Sequence, residues 1–188
     1  MIIALEGIDN AGKTTIGHYL QDYFSKENIK VVLSKELTTD VGEVIKNRIH
    51  RGGLSPISKA FLFAADRQLR LETLRIADNP ETIFIFDRYI HSAIVYREAE
   101  GLNGNWVREI NKNVPKSDLS FYIDITPEES IKRNTDTKFN IHYSISILKI
   151  VRDRYLFYTG KGELVFIDGM KDIDCIQRQI AEEIKRHL

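Results

Sequence analysis

The chain has 188 residues, 43% of them apolar and 29% charged, with 27 Lys plus Arg set against 27 Asp plus Glu. That length suits one domain with a sizeable core rather than two, and the composition is that of a globular chain, not a disordered or fibrous one. A charge balance of zero supplies no global field to draw nucleic acid, and one cysteine, Cys175, excludes an intramolecular disulfide or a cysteine-rich metal site and agrees with a reducing, cytoplasmic setting.

Ile2 to Leu5 reads as a buried strand. Its apolar run stops at Glu6 with no basic leader, so no secretory signal is expected there, and no apolar stretch is long enough to span a bilayer. Ile16, Leu20 and Phe24 recur at helical spacing and predict a helix from Thr14 to about Glu27. A second strand is expected over Ile29 to Leu33 and a helix over Val41 to His50. Ser55-Pro56 has the N-cap and first-turn proline of a helix start, and that helix is expected to run to Asn79, with Pro80 behind it.

Thr82 to Phe86 predicts a third strand, and helices are expected over Tyr89 to Glu100 and Trp106 to Asn113. Leu119 to Ile125 follows as a fourth strand, and Thr126-Pro127-Glu128-Glu129 has the pattern of a capping box. A long helix over Ile141 to Tyr158 and a fifth strand over Leu164 to Ile167 come next. Ile173, Ile176, Ile180 and Ile184 form one stripe of a last helix. Short Ile-, Val- and Phe-rich strands separated by helices predict an α/β fold: a five-stranded parallel sheet with helices on both faces. Sites in such sheets lie beyond the carboxyl ends of the strands. That points to Gly7–Thr15, Lys35–Thr39, Asp87–Tyr89 and the loop after Ile125.

Gly7-Ile8-Asp9-Asn10-Ala11-Gly12-Lys13-Thr14 fits G-x-x-x-x-G-K-[ST] at every required position, and it follows a predicted strand and opens a predicted helix. Glycines permit a tight loop whose N–H groups turn inward, and the helix N-terminus adds its dipole, so Gly7 to Thr15 is a phosphate cradle of the P-loop NTPase type. Lys13 is placed to meet the β- and γ-phosphates of ATP, and the Thr14 hydroxyl to ligate Mg²⁺. Asp9 is an acid beside a polyphosphate cradle, so it is expected to face a neutral hydroxyl or a cation, or to be a solvated loop acid. Asp87, just past a buried strand, is the acid expected at Mg²⁺, and Arg88 offers a planar fork for an acceptor phosphate. The two residues alone leave open that Asp87 and Arg88 simply pair with each other.

These motifs, together with Phe61-Leu62-Phe63-Ala64-Ala65-Asp66-Arg67, resemble the thymidylate kinase family over nearly the whole chain. Phe63 and Arg67 lie four apart, on one helix face. The resemblance implies that Phe63 stacks on the base and Arg67 donates to its carbonyl. It also implies that Asp9 contacts the deoxyribose 3′-hydroxyl, that Arg88 holds the dTMP phosphate, and that Ser92 and Tyr96 complete the pocket, the Tyr96 ring lying near the sugar's 2′ carbon. Thr126-Pro127-Glu128 and Lys132-Arg133 match the approach to a lid over about 133–141, which would bring Arg133 and Lys138 to the transferring phosphoryl group.

The chain departs from the family at four places. Asn10 stands where one class has a loop arginine, and the lid is a few residues short. Lys35 stands in for an arginine on the acceptor phosphate, as a point charge rather than a fork. Ala93 stands where some members have an amide that reads thymine.

The resemblance implies a single nucleoside monophosphate kinase domain over 1–188. It would bind ATP, Mg²⁺ and dTMP, make dTDP and ADP, form a homodimer, and involve neither nucleic acid nor membrane. Left open beside it are a kinase for another pyrimidine monophosphate or a deoxynucleoside, a nucleotide-binding relative with weak catalysis, and a GTP-dependent switch. The last lacks its guanine-reading motif, since Asn111-Lys112-Asn113-Val114 has no Asp.

Overall fold

The structure is a computed structural model that describes residues 1–133 and 143–188. The strands are β1 (Ile2–Glu6), β2 (Val31–Lys35), β3 (Ile83–Asp87), β4 (Leu119–Asp124) and β5 (Val165–Asp168). Among the described residues they form one five-stranded sheet in the order β2-β3-β1-β4-β5, and every neighbouring pair is parallel. The expected sheet is therefore the observed one. β1 is its centre because Ile2 to Leu5 is apolar on both faces, as a strand covered from both sides must be.

The helices are α1 (Lys13–Lys26), α2 (Asp40–His50), α3 (Pro56–Leu74), α4 (Ile90–Ala99), α5 (Gly104–Ile110), α6 (Pro127–Lys132), α7 (Ile145–Gly160) and α8 (Ile173–Lys185). Ile3 and Leu5 of β1 pack in one cluster with Ile16, Leu20 and Phe24 of α1 and Ile176, Ile180 and Ile184 of α8. Ile2 and Ala4 point the other way, into a cluster with Phe86 and with Leu71 of α3. Alternation along β1 thus fills a core on each side of the sheet.

Several boundaries moved for local reasons. β2 starts two residues later than expected because Asn28 (φ 60°) and the bond from Ile29 N to Phe24 O keep the chain in the exit turn of α1. The shift carries Lys35 into register beside Asp87 at the carboxyl end of the sheet. α3 stops at Leu74, not Asn79, because Arg75 takes a left-handed conformation (φ 47°) and a short 3₁₀ turn, Ile76–Asp78, follows. α7 begins behind Ser144, whose hydroxyl accepts from Ile147 N at 3.3 Å. The expected first residues of that helix, 141 and 142, lie outside the described residues.

Thr126 caps α6 by accepting from Glu129 N at 3.1 Å. The Glu129 carboxylate turns away, to Arg133 Nε at 2.8 Å, so the Glu129 side chain is engaged elsewhere than in a reciprocal cap. Among the described residues no helix is long and apolar enough to cross a membrane.

Candidate active site

The loop from Gly7 to Thr14 leaves the carboxyl end of β1 and enters α1. Gly7 sits at φ 147°, and a Cβ there would lie 2.6 Å from the Ile123 carbonyl oxygen of β4, so only glycine brings the loop this close to the sheet. Gly12 (φ 92°) caps α1, and Asn10 holds a left-handed conformation (φ 59°), which its short polar side chain tolerates. Two bonds brace the loop against α6: Asn10 Nδ2 donates to Ser130 O at 3.0 Å, and Ser130 Oγ donates to Asp9 O at 2.7 Å. The amide of Asn10 is thus a strut of the loop.

Lys13 curls over this loop, donating from Nζ to Ile8 O at 2.7 Å and Gly7 O at 3.2 Å. Its ammonium is buried, and burial together with the nearby Arg88 guanidinium pulls its pKa from 10.5 down to about 8. Beside it, Thr14 Oγ1 donates to Asp87 Oδ2 at 2.5 Å, joining the start of α1 to the end of β3. A hydroxyl and a buried carboxylate in contact form a hard-oxygen donor pair, the kind that suits a magnesium ion whose other ligands are phosphates and water.

Arg88 follows Asp87 in a left-handed conformation (φ 72°), with its N–H on Leu5 O at 3.0 Å. The side chain turns to Asp9 rather than to its neighbour: Nη2 reaches Asp9 Oδ1 at 2.6 Å and Tyr96 Oη at 3.3 Å. Nη1 donates to Gly7 O at 2.9 Å and Ser92 Oγ at 3.2 Å, and the guanidinium lies 5.0 Å from the Tyr96 ring centre. Behind Ser92 lies the fully buried carboxylate of Glu6. It accepts from Ser92 Oγ, from Tyr89 N at 3.1 Å and from Tyr155 Oη at 3.1 Å. Three donors satisfy this carboxylate, as a buried anion requires.

Lys13, Thr14, Asp87, Arg88, Asp9, Ser92 and Tyr96 meet in one cavity of about 440 Å³, a size that suits a nucleotide-scale ligand. The predicted residues Asp9, Asn10, Gly12, Lys13, Thr14 and Thr15 line it. So do Lys35, Phe63, Asp87, Arg88, Ser92 and Tyr96, and Arg133 from the end of α6. Arg133 is held by Glu129 and by Gly169 O, which its Nη2 reaches at 3.1 Å. Gly7, Ile8 and Ala11 build the loop without facing this space. Lys138 and the rest of the expected lid, 134 to 141, lie outside the described residues.

Arg67 is placed differently from its expected role. It is fully buried behind the cavity wall, with Nη1 on Asn111 Oδ1 at 2.7 Å and Nη2 on Glu36 Oε1 at 2.8 Å. Helical spacing sets Phe63 and Arg67 on one face of α3, but Glu36, which does line the cavity, stands in front of Arg67. The guanidinium that does line the cavity beside Phe63 is Arg97, 5.7 Å from the ring centre and bonded through Nη2 to Tyr143 Oη at 3.1 Å. The sequence reading missed Arg97, Glu6 and Glu36. Arg97 follows Tyr96 directly, and Glu6 is a lone acid ending a wholly apolar strand. Both were visible signals.

Residues 5–180 match the family model described as thymidylate kinase. The chain belongs to the thymidylate kinase family. A probable thymidylate kinase of Sulfolobus acidocaldarius is 39% identical over 188 residues, covering 97% of this chain and 93% of its own. That of Sulfurisphaera tokodaii is 36% identical over 184 residues, covering 97% and 94%. The probable thymidylate kinase 1 of Saccharolobus solfataricus is 32% identical, covering 100% and 98%. Membership in a thymidylate kinase family accords with a loop for nucleoside triphosphate and an Arg88–Asp9 pair opening onto one cavity.

Proposed function

We propose that this protein transfers the γ-phosphoryl group of ATP to dTMP, giving dTDP and ADP. The observation that carries the reading is the meeting of the Gly7–Thr14 loop and the Asp9–Arg88–Tyr96 cluster in one cavity. Phosphoryl transfer requires donor and acceptor phosphates to face each other there.

ATP lies on the loop, with its phosphates on inward N–H groups and on Lys13, which exchanges loop carbonyls for phosphate oxygens. Thr14 and Asp87 would hold Mg²⁺, which would supply charge neutralisation at the triphosphate. Arg88 binds the dTMP phosphate, with Lys35 as a second charge. Asp9 then meets the sugar 3′-hydroxyl, and Tyr96 lies against the 2′ carbon. Phe63 stacks on the base, and Arg67 acts from behind by holding Glu36 at the cavity wall.

An oxygen of the dTMP phosphate forms the new bond to the γ-phosphorus as the bond to the β,γ-bridging oxygen breaks, and ADP leaves. The phosphate dianion is already a nucleophile, so no general base is needed. Alignment and charge neutralisation by Lys13, Arg133 and Lys138 supply the rate. We place the enzyme in the cytoplasm, as a homodimer.

The test is ADP formation from ATP with Mg²⁺ and dTMP, dUMP, dCMP, UMP, AMP or thymidine offered separately. Turnover with dTMP above all others is expected. No turnover with dTMP, or a clear preference for another acceptor, overturns the reading.

A further inference from the structure

Lys35, Glu36 and Leu37 are consecutive, and all three line the cavity. An extended chain sends consecutive side chains to opposite faces. The chain does leave the strand path here: β2 ends at Lys35, and the bend that follows includes Leu37, whose φ is +65°. That region is unfavourable for a residue with a branched side chain and persists only where the surroundings impose it.

Two features impose it. Asp66 of α3, fully buried, accepts from Leu37 N at 3.0 Å, from Thr39 Oγ1 at 2.7 Å and from Thr39 N at 3.4 Å. From the other side Gly42 of α2 packs so closely that a Cβ would lie 2.5 Å from the Leu37 carbonyl carbon. The next residue of α3, Arg67, holds the preceding residue of the loop, Glu36. Neighbouring residues of one helix thus grip neighbouring residues of the loop. Leu37 is neither glycine nor asparagine, so its conformation is supplied by tertiary contacts rather than by local preference.

We infer that Asp66 is a positioning residue for the acceptor: by gripping Leu37 and Thr39 it fixes the bend after β2 that sets Glu36 and Leu37 at the cavity wall. It touches neither substrate. It acts on acceptor binding through the loop, and its hydrogen bonds to Leu37 and Thr39 do not reach the Gly7–Thr14 loop that cradles ATP. The inference rests on the reading of this cavity as the dTMP site.

The test compares steady-state KM values for dTMP and for ATP in Asp66→Asn, Gly42→Ala, and Asp66→Asn combined with Leu37→Gly. Asn cannot accept at both of its side-chain atoms. Gly42→Ala crowds Leu37 without disturbing a buried charge, in a helix that alanine otherwise favours. Each single variant is expected to raise KM for dTMP about tenfold or more while KM for ATP stays within about twofold, the split that separates acceptor positioning from general damage. Leu37→Gly, at no cost in the left-handed region, should restore part of the dTMP affinity lost in Asp66→Asn. Equal rises in both KM values, or a lower melting temperature with neither KM changed, overturn the inference. A wild-type protein that turns over no dTMP overturns the proposed reaction first, and the inference with it.

Discussion

Nη2 of Arg88 lies 2.6 Å from Oδ1 of Asp9, and this ion pair joins the phosphate loop to the residue after β3. It answers why an acid is tolerated beside a polyphosphate cradle: Asp9 faces a cation fixed by four acceptors. Without substrate, Arg88 already points into the cavity, so little side-chain entropy remains to be lost when an acceptor phosphate arrives.

Removing that fork should damage the acceptor side selectively. Arg88→Ala is expected to lower kcat/KM for dTMP by about 10³-fold, the scale of one preorganised charge on transferring phosphoryl chemistry, with KM for ATP changed little. Arg88→Lys should recover a small part, because one ammonium cannot serve Gly7 O, Ser92, Asp9 and Tyr96 together. Initial rates with each substrate varied in turn decide it.

Lys13 carries a pH signature. Its pKa in the folded protein without nucleotide is lowered to about 8, by burial first and the Arg88 charge second. Above about pH 8 the free protein loses this proton, and bound phosphates restore it. ATP binding near pH 8 to 9 should therefore take up a proton, seen as a buffer-dependent heat by calorimetry. Affinity should fall as pH rises through that range. Lys13→Arg should abolish the proton uptake. The sign for stability is the reverse of a salt-bridged lysine: between about pH 8 and 10.5 the unfolded chain binds more protons, so this group makes the fold more stable as pH rises through that window.

Gly7→Ala tests the close approach of loop and sheet. A methyl group 2.6 Å from Ile123 O at φ 147° must push the loop from β4. A loss of about 2–4 kcal/mol in unfolding free energy is expected, from strain and overpacking together. ATP binding should weaken beyond what the stability loss explains. Denaturant titration and nucleotide titration on the same preparation separate the two.

Asp87→Asn removes the carboxylate that pairs with Thr14. The magnesium concentration for half-maximal rate should rise about 10- to 100-fold, as for loss of an orienting group at a metal site. Excess Mg²⁺ should recover much of the rate. Failure of any Mg²⁺ concentration to do so would assign Asp87 to holding the loop rather than the metal.

The sheet, the phosphate loop and the sites of Asp87 and Arg88 are legible in the order of residues alone. Each is written locally: apolar runs of strand length, glycines before a lysine, an acid ending a buried strand. Ser55 and Thr126 announced their helices because a cap acts within three residues.

Which partner each charge takes was settled by contacts between distant elements. Arg88 chose Asp9 over its neighbour Asp87 because a left-handed backbone aims it across the sheet. Arg67 went behind Glu36 because Glu36, just after β2, and Asn111, just after α5, both accept from it there. Leu37 was bent by Asp66, 29 positions along the chain. Such choices follow from distances between elements far apart in sequence, and spacing within one element carries no record of them.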